Sequence, residues 1–470
     1  MLTKLSLRLR IFLFFCLLAL AGAALAAAAM AFGWSRAEDA VPVGAFVTAF
    51  VLFAFLNTGL VLIVWLLFDE NIAKPINALS ANLRLRAHAG VESDVSADVA
   101  QYLEDLAPAA DALAQTVKAS LSGAAGEIAR ETELLTAERE QLTALLTEIP
   151  IATLVLNAAD EIVLYDGQAA AILSEVAPPR LKAPLADYFD LAAFFEARER
   201  ASSKGSYTAF ALTAPAQGVT LNARLKALEE GGHMIFVDVE TETLALTDPR
   251  PLVFDFDLIN ATAPKEIAKT PLSELCFVPF DTETTGLSVE KDDIVQLGAV
   301  RVLNGRIVAG EVMDVYVNPG RPIPPSSTKI HHVTDADVAD AKDIATVGRA
   351  FHHFARDAVL VAHNAPFDIG LLRKSADVMG VEWSHPVLDT VLLSAVVFGT
   401  TEAHSLDALC DRLSVTIPAH ARHTALGDAQ ATAEVLVRLL PLVAAKGFTT
   451  FEQLIAETRR HSRLLEDLNQ

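Results

Sequence analysis

The chain has few cysteines, and their spacing does not suggest pairing or metal binding. Cys16, Cys276 and Cys410 are the three cysteines among 470 residues, and no two of them form a C-x-x-C pair. A disulfide framework needs several cysteines at regular spacing, and a thiolate zinc site needs cysteines that are close in sequence. The sequence therefore favours a reducing compartment and suggests neither kind of site.

Basic residues are scarce relative to acidic ones. The chain has 37 Lys and Arg against 59 Asp and Glu, for a formal net charge of −22. Proteins that coat nucleic acid do so by neutralising phosphates with Lys and Arg. The composition therefore argues against a general nucleic-acid-coating surface, and any nucleic-acid partner must be met locally, through metal ions.

Charged residues are absent from two long apolar runs, residues 11–33 and 41–68. A helix of about 20 residues crosses the hydrocarbon core of a bilayer, so both runs are predicted to span a membrane. Basic residues flank the two runs on their outer sides: Lys4, Arg8, Arg10, Lys74, Arg84 and Arg86. Because loops rich in Lys and Arg stay in the cytoplasm, both flanks are predicted to be cytoplasmic. The prediction is a two-span protein of a bacterial-type inner (cytoplasmic) membrane with cytoplasmic N- and C-termini. A cleaved signal peptide over residues 1–29 is the alternative, and the second run would still anchor the chain.

Residues 69–144 follow this membrane anchor (residues 1–68) and carry apolar residues at helical and heptad-like spacing. Ile128, Leu135 and Leu142 are seven apart, and the repeat continues to Ile149 just beyond the segment. Such spacing predicts helices that pair in a homodimer. A proline just after the second span, followed by an apolar helix, resembles the HAMP signalling linker of bacterial receptors. A plain helical stalk is the alternative.

The sequence period changes over residues 145–240, where residues 153–156 and 162–165 are predicted strands and a helix is predicted from about Gln168. With a last strand in "GGHMIFVDVE", this layout resembles an α+β PAS domain. The segment has no cysteine, which argues against a cysteinyl-flavin photosensor, and His233 is interpreted as a strand residue rather than a haem ligand. An empty PAS-like domain that takes part in dimerisation is preferred, and residues 241–272, rich in Thr, Ala and Pro, are predicted to be a linker.

Strand and helix patterns alternate over residues 273–448, which predicts an α/β domain with a mixed sheet. "CFVPFDTET" and "AVLVAHN" are predicted strands, and "DIVQLGAVRVLNGRIV" is predicted to form two strands joined at Asn304 and Gly305. "DVYVNP" is predicted to be a separate edge strand, and a helix is predicted over about residues 344–355. The tail, residues 449–470, is predicted to be helical, and it either packs on this domain or binds a partner.

Asp281 and Glu283 lie two residues apart on the first of these strands, so both side chains project from one face. Two adjacent carboxylates repel each other unless a cation lies between them, and a purely oxygen ligand set suits Mg²⁺ or Mn²⁺. Two solvated acids at a strand end would give the same pattern, so the pair is a weak signal by itself.

Three further residues strengthen the interpretation. Asp368 is predicted in the first turn of the helix after "VAHN", and "HTALGD" supplies His423 and Asp428. Side chains five apart on one helix do not share a face. Thr424 is therefore predicted to be the N-cap, which leaves His423 on a loop and Asp428 in the first helical turns.

In this segment the sequence resembles the DEDDh 3′→5′ exonuclease superfamily, which includes the proofreading epsilon subunit of bacterial DNA polymerase III. Three motifs occur in order: D-x-E-T-T-G from Asp281, H-N-A-x-F-D from His363 and H-x-x-x-x-D from His423. "IHHVT" departs from the family pattern, because His332 occupies a position where the family commonly has glycine.

The resemblance implies a ribonuclease H-like exonuclease domain that binds two divalent cations, Mg²⁺ or Mn²⁺, about 4 Å apart. It assigns the metal to Asp281, Glu283, Asp368 and Asp428, and makes these four residues and His423 catalytic, with His423 taking a proton from water. The residues it implies for substrate binding are Thr284, Thr285, Gly286, Leu287, His363, Asn364 and Phe367. The implied substrate is a single-stranded or frayed 3′ end, with DNA favoured over RNA, and the implied product is a nucleoside 5′-monophosphate.

Two other functions would fit parts of the sequence. A membrane signalling or scaffold protein could use the nuclease fold only to bind nucleic acid or a nucleotide, but the intact acids and His423 argue against it. A histidine kinase, suggested by the order of membrane spans, HAMP-like linker and PAS-like domain, is excluded because the chain has no segment left for an ATP-binding module.

Overall fold

The structure is a computed structural model, and it falls into two compact units, Met1–Leu121 and Ser122–Gln470. The residues that it describes are 7–36, 43–76, 80, 151–201, 207–214, 218–228, 231–238, 252–259, 266–418 and 420–469. Most of the predicted helical linker, residues 77–144 apart from residue 80, lies outside these ranges.

The first unit contains two long helices, α1 (Leu7–Arg36) and α2 (Val43–Phe68), the second continuing into a π-helical turn, Asp69–Ala73. Phe12 packs edge-on against Trp65 with ring centroids 5.1 Å apart, and the Asn57 side-chain amide donates to the carbonyl oxygen of Ala19 at 3.1 Å. The segments Ile11–Ser35 and Val43–Ile76 are long and apolar enough to cross a membrane. The two predicted apolar runs are therefore helical.

The second unit begins with a six-stranded sheet, here called the six-stranded part (residues 151–259). Its strands are β1 (Ile151–Leu156), β2 (Ile162–Tyr165), β3 (Thr208–Ala214), β4 (Val219–Ala227), β5 (His233–Asp238) and β6 (Val253–Phe254). They are antiparallel in the order β3-β4-β5-β1-β2-β6, and the helices α3 (Gly167–Val176) and α4 (Ala192–Arg200) accompany them. The predicted strands at 153–156 and 162–165, the helix that follows them and the strand containing His233 are all present.

The prediction of a linker over residues 241–272 is wrong for the residues that the structure describes there. Leu164 and Tyr165 of β2 pair with Phe254 and Val253 of β6, so these residues extend the sheet. Short 3₁₀ turns follow at Phe256–Leu258, Ile267–Lys269 and Leu272–Glu274. The prolines and threonines of this segment concealed a strand of only two residues, which is too short to produce a pattern.

The remainder of the unit, here called the five-stranded part (residues 266–469), has a mixed sheet in the order β11-β10-β7-β8-β9. Its strands are β7 (Cys276–Thr284), β8 (Ile294–Leu303), β9 (Arg306–Tyr316), β10 (Val359–Ala362) and β11 (Val387–Asp389). β10 pairs in parallel with β7 and β11, and the other pairs are antiparallel. The mixed sheet and the turn at Asn304 and Gly305 are as predicted, but "DVYVNP" is not a separate strand, because its first residues are the end of β9.

Nine helices of the five-stranded part complete the residues that the structure describes. They are α5 (Pro325–His331), α6 (Asp335–Val338), α7 (Ile344–Phe354), α8 (Ala365–Lys374), α9 (Ala376–Met379), α10 (Thr390–Phe398), α11 (Leu406–Leu413), α12 (Ala425–Ala445) and α13 (Phe451–Thr458), with a 3₁₀ turn at Arg459–His461. The tail packs on this part of the chain, since the side chain of Asn469 both accepts from the amide of Val387 at 2.8 Å and donates to its carbonyl at 2.6 Å.

One hydrophobic core runs through both sheets, with members such as Tyr165 and Leu181 in the six-stranded part and Cys276 and Phe354 in the five-stranded part. A buried ion pair lies where the two parts meet. The Nε of Arg301 is 2.8 Å from the Oε2 of Glu311, with both side chains at most 1% exposed. The two parts therefore share one core within the second unit.

His332, the departure from the family pattern, lies in the left-handed region with φ 63° and ψ 0° and forms the C-cap of α5. Its amide donates to the carbonyl of Thr328 at 2.8 Å. Glycine is favoured at such a position because it has no Cβ to clash there. The turn is therefore kept, at the cost of placing a non-glycine residue in a left-handed conformation.

We expect His332→Gly to raise the free energy of unfolding by about 1 kcal/mol, because a non-glycine residue in the left-handed region costs about 1–2 kcal/mol and glycine loses part of this gain to unfolded-state entropy. His332 is exposed, so no packing is lost. Thermal unfolding measures the effect. Ile330→Gly in the preceding helical turn is the control and should lower stability, and equal losses in both variants would contradict the prediction.

Candidate active site

One strand and one helix bring three carboxylates together. Asp281 and Glu283 project from β7, a central strand between β10 and β8, and Asp428 lies in the first turn of α12. One oxygen of each of these three carboxylates lies within 4.8 Å of the other two. Gly298 of β8 permits this approach, because a Cβ there would lie 2.1 Å from the backbone of Ala425.

Asp368 comes to the same site from α8. The preceding strand, β10, ends at Ala362, and Asp368 lies in the first turn of the helix, as predicted. Its Oδ1 accepts a hydrogen bond of 2.5 Å from the Thr282 hydroxyl. Asp368 lies outside the closest group of three but is near enough for its charge to raise the pKa of both Asp281 and Glu283.

Burial opposes ionisation of all four carboxyl groups, and repulsion within the cluster adds to it at Asp281 and Glu283. Burial is the largest cause at each, and it raises the pKa of Glu283 to about 8 and that of Asp368 to about 7. The pKa of Asp281 is raised well above its ordinary value by burial and then by Asp368, Glu283 and Asp428. Burial also raises the pKa of Asp428, while the nearby His423 lowers it. The site is therefore short of positive charge.

No described Lys or Arg forms a salt bridge with any of the four carboxylates. The usual protein counter-ion is thus missing where acids are most crowded. An oxygen-only ligand set of this kind suits a hard divalent cation such as Mg²⁺ or Mn²⁺. The residues present therefore fit the metal site that the sequence predicts.

We expect the contribution of Glu283 and Asp368 to the stability of the metal-free protein to grow as the pH falls from about 8 to about 4. The carboxyl groups of Glu283 and Asp368 have folded-state pKa values of about 8 and 7, above their ordinary values of 4.5 and 3.8. A group with a raised folded-state pKa gives its full stabilisation below the unfolded pKa and loses it as the pH rises through the folded pKa. Melting temperatures in EDTA measure this.

Glu283→Gln is the control for that measurement, because it removes one of the titrating groups and should flatten the pH dependence. Mg²⁺ or Mn²⁺ should raise the melting temperature more at pH 8 than at pH 5, since protons compete with metal for the carboxylates. The same pH dependence in wild type and variant would contradict the prediction.

His423 lies at the edge of the cluster, outside α12 as predicted. Thr424 is the N-cap of this helix, and its hydroxyl accepts from the amide of Gly427 at 3.1 Å. His423 itself has φ 56° and is exposed. An imidazole here is held beside Asp428 by its backbone while its ring stays accessible to solvent.

The residues predicted to bind substrate fall into two groups. Thr284 ends β7, and Thr285, Gly286 and Leu287 follow it in a loop, with Leu287 91% exposed. The Thr285 hydroxyl is occupied by protein, because it donates to Asp292 and accepts from Arg321 and from the Asp293 amide. Its amide and carbonyl are also hydrogen-bonded within the protein, to the Asp293 carbonyl and the Ser327 hydroxyl.

The second group precedes and begins α8. His363 is hydrogen-bonded through its Nδ1 to the Thr390 hydroxyl at 2.8 Å, and burial lowers its pKa to about 4, so the ring is neutral at pH 7. Asn364 is exposed in a left-handed conformation with φ 68°. Phe367 is partly buried and packs against the core.

Sequence reasoning missed two residues that support the site. Thr282 projects to the opposite strand face from its acidic neighbours, yet its hydroxyl fixes one oxygen of Asp368. Asp389 accepts from the amide of Ala365 at 2.6 Å and so holds the start of α8. The sequence "LDT" before a helix was the only signal for Asp389. Thr282 gave no signal, because its partner Asp368 is 86 residues away and the two meet only in the folded chain.

A family model described as "Exonuclease" matches residues 278–436, which include all four carboxylates and His423. A curated relative from Rhodobacter capsulatus, a "DNA polymerase III subunit epsilon-like protein", is 31% identical and the alignment covers 100% of both chains. The chain belongs to this epsilon-like family. It is a metal-dependent exonuclease.

Other similar proteins match a smaller part of this chain. "DNA polymerase III PolC-type" of Bacillus cereus is 35% identical over 39% of this chain and 12% of its own length. A solved structure, "Exonuclease X in complex with 5′ overhanging duplex DNA", is 31% identical over 39% of this chain and 99% of that chain, with a TM-score of 0.31. The epsilon-like relative thus differs from both in sharing the whole length of the chain, including the six-stranded part.

Proposed function

We propose that this epsilon-like protein is a membrane-anchored exonuclease that hydrolyses phosphodiesters from the 3′ end and releases nucleoside 5′-monophosphates. The observation that carries the proposal is the group of three carboxylates, with Asp368 beside it and an accessible histidine at its edge. No described Lys or Arg forms a salt bridge with these carboxylates. The preferred substrate is a single-stranded or frayed 3′ end of DNA rather than RNA. The names of the relatives support DNA, and the acidity of the chain supports short ends over long duplexes.

The roles of the side chains follow from their positions. Asp281, Glu283, Asp368 and Asp428 hold two divalent cations, which when bound neutralise phosphate charge and activate water. His423 accepts the proton of the attacking water, a role that its exposed ring beside Asp428 supports. Its position outside α12 lets the ring approach the water without displacing Asp428.

The full-length protein in detergent, with a 5′-labelled single strand and Mg²⁺ or Mn²⁺, tests the proposal. Progressively shorter labelled products and nucleoside 5′-monophosphates are expected, and EDTA should stop the reaction. DNA and RNA strands of one sequence, run side by side, test the preference. A folded, metal-binding protein that leaves both strands intact would favour the scaffold function. Release of the labelled 5′ mononucleotide at the start of the reaction would show degradation from the 5′ end and contradict the proposed 3′→5′ direction.

We expect His423→Ala to lower kcat by about 10²–10⁴, the usual contribution of a positioned general base. The carboxylates remain, so metal binding measured by the melting-temperature shift should be kept. His420→Ala, three residues earlier on the same exposed segment, is the control and should leave kcat unchanged. A wild-type kcat in His423→Ala would remove His423 from the mechanism.

The membrane topology and the regulatory parts are also proposals. Two helices of membrane-spanning length and basic outer flanks support two spans with both termini in the cytoplasm. An alkaline phosphatase reporter, active only outside the cytoplasm, should be active when fused after residue 40 and inactive when fused after residue 470. Activity at the C-terminal fusion would reverse the topology.

The six-stranded part is proposed to be a PAS-like domain because its opening hairpin, following helix and last strand have the expected order and pair as β2-β1-β5. The HAMP-like linker and pairing of two chains through it remain predictions from the apolar spacing. Light scattering of the detergent-solubilised chain would show a dimer if the pairing holds, and a monomer would contradict it.

A further inference from the structure

Residues 284–288 comprise the last residue of β7 and the loop that follows it. In this segment, here called the loop, each backbone carbonyl from Thr284 to Gly286 accepts a hydrogen bond from a side chain. The His331 Nε2 donates to the Thr284 carbonyl at 3.2 Å, the Ser327 hydroxyl to that of Thr285 at 2.9 Å, and the Thr284 hydroxyl to that of Gly286 at 2.6 Å. Thr284 and Thr285 are also buried, whereas Leu287 is exposed. The loop is held in one conformation.

The amide groups of the same loop are not all used. The Thr285 amide donates to the Asp293 carbonyl at 2.9 Å, and the Ser288 amide donates to the Asp292 carboxylate at 2.9 Å. The amides of Gly286 and Leu287 have no acceptor among the residues that the structure describes. Two successive donors are therefore available to a ligand, next to the carboxylate cluster.

Asp292 fixes the position of the loop that carries these two amides. Its Oδ1 accepts from the Thr285 hydroxyl at 3.1 Å and its Oδ2 from the Ser288 amide, so one carboxylate joins both ends of the segment that carries the available amides. A Cβ at Gly286 would lie 2.5 Å from Oδ2, which shows that the carboxylate packs directly against that residue. Only glycine leaves room for Asp292 there.

Arg321 holds Asp292 and the loop together. Its Nη2 donates to the Thr285 hydroxyl oxygen at 2.5 Å, the Lys291 carbonyl at 2.7 Å and Asp292 at 3.2 Å. Its Nε lies 2.8 Å from Asp293. Charge-assisted hydrogen bonds from one rigid guanidinium fix relative positions better than neutral ones.

We propose that Asp292, anchored by Arg321, is a positioning residue that sets the Gly286 and Leu287 amides for binding the 3′-terminal nucleotide. This inference rests on the proposed function, because the nucleotide is the substrate of the same site. Asp292 contacts neither metal nor substrate; it acts through the loop. Its loss should thus weaken binding of a nucleotide while the reaction at the metals is spared.

Two substrates separate those effects. A single-stranded oligonucleotide engages the loop, whereas bis(p-nitrophenyl) phosphate has a scissile phosphodiester but no nucleoside. For Asp292→Asn in the full-length protein, the oligonucleotide KM should rise about tenfold or more, as expected for losing a hydrogen bond to a charged group. Hydrolysis of bis(p-nitrophenyl) phosphate and the metal-induced rise in melting temperature should match wild type.

Glu290→Gln is the matched control, since it removes one negative charge from the same loop while Gln can still accept from the Ser288 hydroxyl; its KM should stay at the wild-type value. Gly286→Ala, which crowds Asp292 from the other side, should reproduce the KM rise. An unchanged KM in Asp292→Asn, or an equal loss on both substrates, would overturn the proposal. A wild-type protein that cleaves neither ester would contradict the proposed function, and the proposal with it.

Discussion

Asp281→Asn is expected to abolish nuclease activity, with kcat lower by at least about a thousandfold, while it raises the stability of the metal-free protein. The carboxylate is one of the three closest in the cluster, so its removal disrupts the metal site that neutralises the phosphate. The same carboxyl group is disfavoured in its charged form by burial and by three neighbouring acids, which raise its pKa. Asparagine removes that repulsion at nearly the same volume.

The two effects have opposite signs, which makes the prediction specific. Simple misfolding would lower activity and stability together, whereas loss of a metal ligand lowers activity and raises the melting temperature in EDTA. The rise in melting temperature on adding Mn²⁺ should shrink in the variant, because fewer ligands remain. Strand degradation and melting curves with and without metal measure these changes.

Asp340→Asn is the matched control for charge, because Asp340 is exposed on the same part of the chain. Its activity should equal that of wild type, and its stability should lie within about 0.5 kcal/mol. Substantial activity in Asp281→Asn would remove this residue from the metal site.

Glu311→Ala is expected to lower the free energy of unfolding by about 3–5 kcal/mol, because it leaves the buried guanidinium of Arg301 without its counter-ion. Both side chains are at most 1% exposed. Glu311 also accepts hydrogen bonds from the Tyr165 hydroxyl, at 3.1 Å, and from the Leu181 amide. Arg301 donates in turn to the carbonyls of Phe354, at 2.7 Å, and Leu181, at 3.3 Å. The backbone N–H and C=O of Leu181 are thus both hydrogen-bonded to this ion pair.

Thermal or urea unfolding of the full-length protein measures the loss. Asp238→Asn is the control, since Asp238 pairs with Arg224 at 2.8 Å in an exposed position, and an exposed pair contributes at most about 1 kcal/mol. The double variant Arg301→Met with Glu311→Leu should be more stable than Glu311→Ala, because no charge is left buried. Equal losses in Glu311→Ala and Asp238→Asn would contradict the role of the buried pair.

The sequence predicted those features of the site that depend on local rules. The two-residue period of a strand placed Asp281 and Glu283 on one face, and the N-cap preference of threonine placed His423 outside α12. Both rules act within a few residues, so the printed sequence is enough to apply them. The order of the motifs along the chain then supplied the remaining carboxylates.

What the sequence did not predict depends on register and long-range pairing. Glu311 lies on β9 where its register with β8 shifts between Val300 and Val302, and no alternation of side chains reveals such a shift. The contact between Thr282 and Asp368 joins residues 86 positions apart. β6 has too few residues to carry a pattern, yet it pairs with β2 and extends the first sheet.

The hydrogen bonds that join the Leu181 backbone to Arg301 and Glu311 limit how the two sheets of the second unit can be recombined. A truncated gene product that starts near residue 270 would expose a matched pair of charges and the apolar surface beside them. A chimera that exchanges the six-stranded part for a foreign sensor would need to carry over the Leu181 backbone and a hydroxyl in place of Tyr165. Recombination should therefore succeed at the ends of the second unit and fail between its two sheets.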